Sequence, residues 1–290
     1  MTDPRPRSIL LATDLSHRSD RALDRALQLA RSWSARLVAL TVVDAAPAPP
    51  ATTATRAADE AAQRAAERRL RADIGASDPA VEIRVAHGDP VERILEVAAA
   101  EGCELIVLGV ARHEALSRIV LGSTVDSLAA RSTLPLLVVR QRAHAPYPRL
   151  LVASDFSPAA AHALRYAAAA FAPTPLWLFH AFTSPYPLLA GVSAARTHDD
   201  GLRMAQAAAE AHLQSAGLDP ARRAELQLRL EHGDASLLLE DHGRAHPDDL
   251  LVLGMKAHNR LVKRLIGSRS QRILERAEND VLVLREPAAG

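Results

Sequence analysis

Leu105-Ile106-Val107-Leu108-Gly109 runs apolar up to a glycine, and Gly122-Ser123 follows thirteen residues after that glycine. Leu250-Leu251-Val252-Leu253-Gly254 and Gly267-Ser268 repeat the arrangement 145 positions later. His87-Gly88-Asp89 and His232-Gly233-Asp234 keep the same offset. Upstream, Leu11-Ala12-Thr13-Asp14-Leu15-Ser16 matches Val152-Ala153-Ser154-Asp155-Phe156-Ser157 at an offset of 141. A slippage of four residues is what loop insertions do to a duplicated domain. The chain of 290 residues therefore reads as two similar domains, 1–143 and 144–290, and its function as one that a pair of domains performs.

Each half has about the commonest size for an independent domain and can hold a full core. Thirty-five Lys and Arg against thirty-four Asp and Glu leave a formal charge of +1, which argues against a general nucleic-acid or anionic-membrane binder. One cysteine, Cys103, excludes an intrachain disulfide and suits a reducing compartment. Its place before an apolar strand predicts a buried thiol. No apolar run approaches the ~18 residues of a spanning helix. Arg5 and Arg7 are followed only by the short strand Ile9–Ala12, unlike a signal peptide. The expectation is a cytoplasmic protein with no membrane insertion.

Outward from the glycines, short apolar runs alternate with stretches of helical period. Ser8–Thr13, Arg36–Val43, Val81–Val85, Leu105–Val110 and Leu136–Arg140 read as strands. Glu82 and Arg84 alternate with Val81, Ile83 and Val85, as on an edge strand. Asp20–Ser32, Arg56–Ala72, Pro90–Glu101 and Thr124–Arg131 read as helices, with Ser16 as the cap of the first and 45–55 as a loop. The second half replays this order, with a longer loop at 183–201. Alternation of this kind demands a parallel sheet. The predicted fold is α/β: two tandem open-sheet domains, each a five-stranded parallel sheet with helices on both faces.

Ligands of such sheets bind beyond the carboxyl ends of the strands, where the winding direction reverses. An aspartate (Asp14, Asp155) and a glycine (Gly109, Gly254) stand at such ends in each half, with Gly-Ser opening the next helix. Glycine lets the backbone approach a ligand, and a helix start offers N–H groups to phosphate. A carboxylate suits ribose hydroxyls. Together they describe a mononucleotide pocket.

On these residues the sequence resembles a tandem universal stress protein over nearly all of both halves. Nucleotide-binding members carry Gly-x-x-Gly, nine residues, then Gly-Ser/Thr. Here the motif reads Gly109-Val-Ala-Arg112 with Gly122-Ser123, and Gly254-Met-Lys-Ala257 with Gly267-Ser268; Arg112 and Ala257 replace the second glycine. The resemblance implies an adenine-nucleotide alpha hydrolase-like fold and ATP or a related adenine nucleotide as a regulatory ligand, with magnesium as its companion. It places adenine against the main chain near Val43 and Phe182. Phosphate falls to Gly122, Ser123 and Thr124 in one half, and to Gly267, Ser268 and Ser270 in the other. Ser270, Lys256, His258, Arg260, Lys263 and Arg264 favour the second domain for phosphate. The last strands of the two domains are expected to meet as a pseudo-dimer, with a homodimer and an unidentified protein partner as further possibilities.

No catalysis beyond slow ATP hydrolysis is expected. An adenylate-transferring enzyme ranks last, since neither His-x-Gly-His nor Ser-Gly-Gly-x-Asp-Ser occurs. The main alternative is a nucleotide-free adaptor. Asp14 and Asp155 have a simpler reading as helix caps, and His87 and His232 as turn residues. His242 and His246 have a spacing that can bind metal but lack a third ligand. The 183–201 loop, with Tyr186, is a candidate lid.

Overall fold

The computed structural model describes residues 4–16, 20–43, 53–74, 81–110, 122–183, 194–256 and 268–286. It divides into two compact units, one of Pro6–His144 and one of Ala145–Gly290 joined by the first residues through Arg5. Arg5 Nη2 donates to the Ala172 carbonyl at 3.0 Å, which explains that allegiance.

In the first domain the order is β1 (Ser8–Thr13), α1 (Asp20–Trp33), β2 (Arg36–Val43), α2 (Thr53–Ile74), β3 (Val81–His87), α3 (Pro90–Ala100), β4 (Leu105–Gly109), α4 (Ser123–Arg131) and β5 (Leu136–Val139). The strands run β3-β2-β1-β4-β5 across the sheet, and these neighbours are parallel. The chain leaves β1 toward β3, then returns to fill the other side. The ends of β1 and β4 thus flank the switch point where such folds bind ligands.

The second domain repeats this with β6 (Leu150–Ala153), α5 (Pro158–Ala170), β7 (Leu176–Phe182), α6 (Ala194–Ser215), α7 (Pro220–Glu225), β8 (Gln227–His232), α8 (Ala235–Ala245), β9 (Leu250–Met255), α9 (Ser268–Arg276) and β10 (Asp280–Arg285). Its sheet order is β8-β7-β6-β9-β10, again parallel. The α/β fold with a parallel sheet in each domain is as expected from the sequence.

Ile9, Leu10 and Leu11 are all fully buried, so β1 is covered on both faces, as a parallel sheet requires. Helix α1 turns Ala22, Leu23, Ala26, Leu27 and Ala30 inward at helical spacing. On the edge strand β3, Glu82 and Arg84 join Arg36 and Glu101 in a ring of ion pairs of 2.7–3.1 Å. Cys103 is buried, with Ser8 Oγ donating to its Sγ at 3.5 Å, and burial pushes its thiol upward.

The repeated His-Gly-Asp is a strand-to-helix turn. Gly88 and Gly233 adopt φ +126° and +145°, a region that side chains rarely enter. Their N–H groups donate to the carbonyls of Val43 (3.2 Å) and Phe182 (3.0 Å), tying each edge strand to its neighbour. The aspartates then cap the next helix: Asp89 accepts from Glu92 N at 2.9 Å, and Asp234 from Ser236 N at 2.9 Å. Gly88→Ala is expected to cost the first domain about 1–2 kcal/mol, read as a lower urea midpoint in Trp33 fluorescence.

Two elements differ from the sequence reading. Residues 194–201, expected as part of a loop, form the first turns of α6, while 184–193, with Tyr186, lie outside the described residues. That removes Ala194–Gly201 from any lid. Helix α7 was not anticipated, although Asp219-Pro220 is a helix-start signature. Asp219 Oδ1 accepts from Ala221 N at 2.9 Å.

Candidate functional site

The shared Ala-Thr/Ser-Asp-x-Ser stretch folds into the same locked turn in both domains. Thr13 Oγ1 accepts from Leu15 N at 3.1 Å, and Asp14 Oδ1 accepts from Ser16 N at 2.9 Å and Ser16 Oγ at 2.7 Å. In the second domain Ser154 Oγ accepts from Phe156 N, and Asp155 Oδ1 from Ser157 N, both at 3.0 Å. Between these bonds Leu15 and Phe156 take φ +59° and +61°. For a residue with a Cβ that region costs roughly 1–2 kcal/mol, which the paired hydrogen bonds offset. Ser157 caps α5, accepting from Ala160 N at 3.3 Å. Ser16 donates its hydroxyl to Asp14, and residues 17–19, which bear on its expected role as a cap, lie outside the described residues. Both aspartates remain exposed at the carboxyl end of the sheet.

Beside the first of these turns lies a cavity of ≈ 210 Å³. Ala12, Leu40, Val42 and Leu108 form its floor, Ile94 of α3 and Val125 of α4 its wall. Thr13, Asp14, Pro90, Gly109, Val110, Gly122 and Thr124 complete the described lining. Ala12 stands in register with Leu40 on one side and Leu108 on the other, so the three share one face of the sheet. Gly122 is the N-cap of α4 (φ −67°, ψ 148°) and adds no side-chain cap to the helix start. The opening turn of a helix leaves N–H groups without intrahelical partners, and these carry the positive end of its dipole. The site combines an apolar slot, one carboxylate, hydroxyls and a helix start. Such a set accepts a flat apolar ring on the floor and a polar or anionic group at the mouth. Small-molecule pockets are commonly ~300–1,000 Å³, so this one holds one ring system, with the remainder of a larger ligand outside.

Four residues singled out in the sequence, Asp14, Gly109, Gly122 and Thr124, are brought together here. Ser123 is exposed beside them and does not line the cavity. Val43, expected to offer its main chain, is not in the lining but its neighbour Val42 is, and the Val43 carbonyl accepts the Gly88 N–H. Leu40, Val42, Pro90 and Ile94 were not anticipated. Nothing in the near-continuous apolar run Leu37–Val43 singles out the two strand residues.

In the second domain a Cβ on Gly254 would lie 2.4 Å from the Ala159 carbonyl oxygen and 2.8 Å from Ala160 N. Gly254 therefore admits the first turn of α5 to close contact with β9. Phe182 is buried, its ring centroid 5.4 Å from that of His198 and 5.5 Å from that of His232. Ser268 opens α9 and Ser270 is half-buried in its first turn. Gly267, Ala257, His258, Arg260, Lys263 and Arg264 lie outside the described residues, as does Arg112. At the positions of Leu40 and Val110 this domain carries Phe179 and Met255, both buried. His242 Nε2 is 2.8 Å from Asp249 Oδ2, which also meets Arg149 Nε at 3.3 Å. Among the described residues no group of three His, Cys, Asp or Glu side chains is placed to hold a metal ion, and no helix is long and apolar enough to cross a membrane.

The sequence profile of the universal stress protein family matches twice, over residues 6–140 and 146–285. The chain belongs to that family. Its two domains are two copies of the family's unit. A universal stress protein from Archaeoglobus fulgidus superposes with a TM-score of 0.68 at 21% identity, covering 99% of this chain and 100% of that one. A putative universal stress protein from Pseudomonas aeruginosa gives 0.65 at 22% identity, covering 97% and 94%. A universal stress protein solved in complex with cAMP matches 46% of this chain and 97% of its own at 28% identity, with a TM-score of 0.35. Among curated proteins none matches.

Proposed function

We propose that this universal stress protein binds ATP or a related adenine nucleotide in its first domain, as a regulatory ligand in a stress response. The observation that carries the reading is the cavity, where an apolar floor, Asp14, Thr124 and the start of α4 converge. Adenine fits the floor of Leu40, Val42 and Leu108, ribose hydroxyls reach Asp14, and phosphates lie toward Gly122 and the N–H groups of α4. The basic residues of the sequence favoured the second domain; the cavity moves the proposal to the first.

Binding rather than turnover is the role proposed. Asp14 is the one ionisable side chain in the described lining, and Ser16 already occupies one of its oxygens. Magnesium would arrive with the nucleotide's phosphates. For the second domain, Gly254 against α5 favours the adaptor reading, in which that half works through protein contacts.

Calorimetry of nucleotide-stripped protein with Mg-ATP tests this. One saturable site per chain, weakened about tenfold or more by Asp14→Ala and unchanged by Asp155→Ala, is the expected result. Dependence on Asp155 alone would return the site to the second domain. Absence of heat at millimolar ATP would leave the adaptor reading in its place.

A further inference from the structure

The second domain surrounds its locked turn with histidines. His180 of β7 and His212 of α6 both close on Phe156, the residue held at φ +61°. The His180 ring stacks on the Phe156 ring with centroids 4.1 Å apart and 25° between planes, and the His212 ring lies at 5.4 Å. His180 Nδ1–H donates to the Ser154 carbonyl at 2.8 Å. His212 Nε2 is 3.4 Å from Ser154 Oγ, the hydroxyl that accepts the Phe156 N–H. Two imidazoles from separate elements therefore hold one three-residue turn, Ser154 to Phe156. In the first domain the register places Thr41 where His180 stands.

We propose that His212 forms a pH-sensitive clamp that holds the Asp155 turn while neutral and loosens it when its ring is protonated.

Neutral His212 suits the site. With Nε2 unprotonated, Ser154 Oγ–H donates to it and still accepts from Phe156 N, so every bond in the chain is made. Protonation turns Nε2 into a second donor facing that hydroxyl and places a cation on a side chain only 5% exposed. Three charged or titratable groups face His212: Asp155 from the turn, Arg165 from α5 and His180 from β7. Asp155 attracts the cation but is exposed, so water screens it. Arg165 and His180 act against the cation. Burial is the largest effect and pushes His212 down from the ordinary histidine range. The unfolded chain thus takes up the proton more readily than the fold. Stability is complete above the unfolded value of about 6.5 and declines as pH falls through it toward the folded value.

The full chain tests the clamp by NMR between pH 8 and 5. The amides of Asp155, Phe156 and Ser157 are expected to shift together with the His212 ring, with a midpoint below about 6.5. The amides of Asp14 and Leu15, whose turn faces Thr41, should stay flat over that range. His212→Gln should abolish at least half of the Phe156 shift, while His180→Thr, which installs the first domain's own residue and leaves His212 in place, should keep it. Should His212→Gln fail to fold, the turn amides of the unaltered chain, followed against the His212 ring, decide alone. Turn amides that stay flat while His212 titrates, or a Phe156 shift that persists in His212→Gln, would overturn the clamp.

Discussion

Gly254→Ala is expected to lower the stability of the second domain by about 3 kcal/mol, the upper part of the usual cost of overpacking. The added methyl would meet backbone on its far side, with Ala159 O at 2.4 Å, Ala159 C at 2.5 Å and Ala160 N at 2.8 Å. A flexible side chain could swing away, but these atoms belong to the first turn of α5, fixed by the Ser157 cap and by the burial of Ala159 and Ala160. On the near side β9 is bonded between β6 and β10 and cannot shift alone. Urea unfolding followed through Trp177, in β7 of the same domain, measures the loss. Gly122→Ala is the matched control. Its φ of −67° suits any residue and a Cβ there meets nothing within 4 Å, so a change within about 0.5 kcal/mol is expected. An unmoved Trp177 midpoint in Gly254→Ala would show that α5 does not rest on β9 as described.

Filling the cavity should abolish nucleotide binding while leaving the fold intact. Val42→Trp places an indole over the floor between Leu40 and α3, in the space of ≈ 210 Å³ assigned to adenine. A loss of at least ~30-fold in affinity, about 2 kcal/mol, is expected in calorimetry with Mg-ATP. Val42 and Ala181 hold the same place in β2 and β7, one before the residue whose carbonyl takes the Gly88 or Gly233 N–H, so Ala181→Trp is the companion variant. Retention of binding there and loss in Val42→Trp would assign the nucleotide to the first domain. The reverse pattern would assign it to the second. Unchanged far-ultraviolet circular dichroism in both variants separates blocking from unfolding.

The architecture was legible because duplication prints each signal twice. Two copies of His-Gly-Asp, of the apolar run before Gly109 and Gly254, and of the Asp-x-Ser turn fix the strand-helix alternation more firmly than either copy alone. The site was half legible. Asp14, Gly109, Gly122 and Thr124 lie next to strand or helix ends, where chemistry and sequence position coincide. Leu40 and Val42 escaped because the face of a strand matters, and nothing in a run as apolar as Arg36–Val43 distinguishes its two faces. Gly254 shows a role in packing that its sequence position does not disclose. A glycine that admits a ligand and one that admits a helix look alike in sequence, since only the neighbour differs. The histidine clamp was invisible, because Phe156, His180 and His212 belong to three elements and meet only through the fold.

The locked Asp-x-Ser turn bears on how quickly this protein can respond. Its strain is met by bonds internal to the turn, Thr13 to Leu15 and Asp14 to Ser16, with no ligand required. The carboxylate at the cavity mouth is therefore held in place before any nucleotide arrives. A ligand docking there meets a preorganised surface and forfeits little ordering entropy in that segment. Under the proposed function the turn itself would add no slow step to association, so occupancy would track changes in nucleotide concentration.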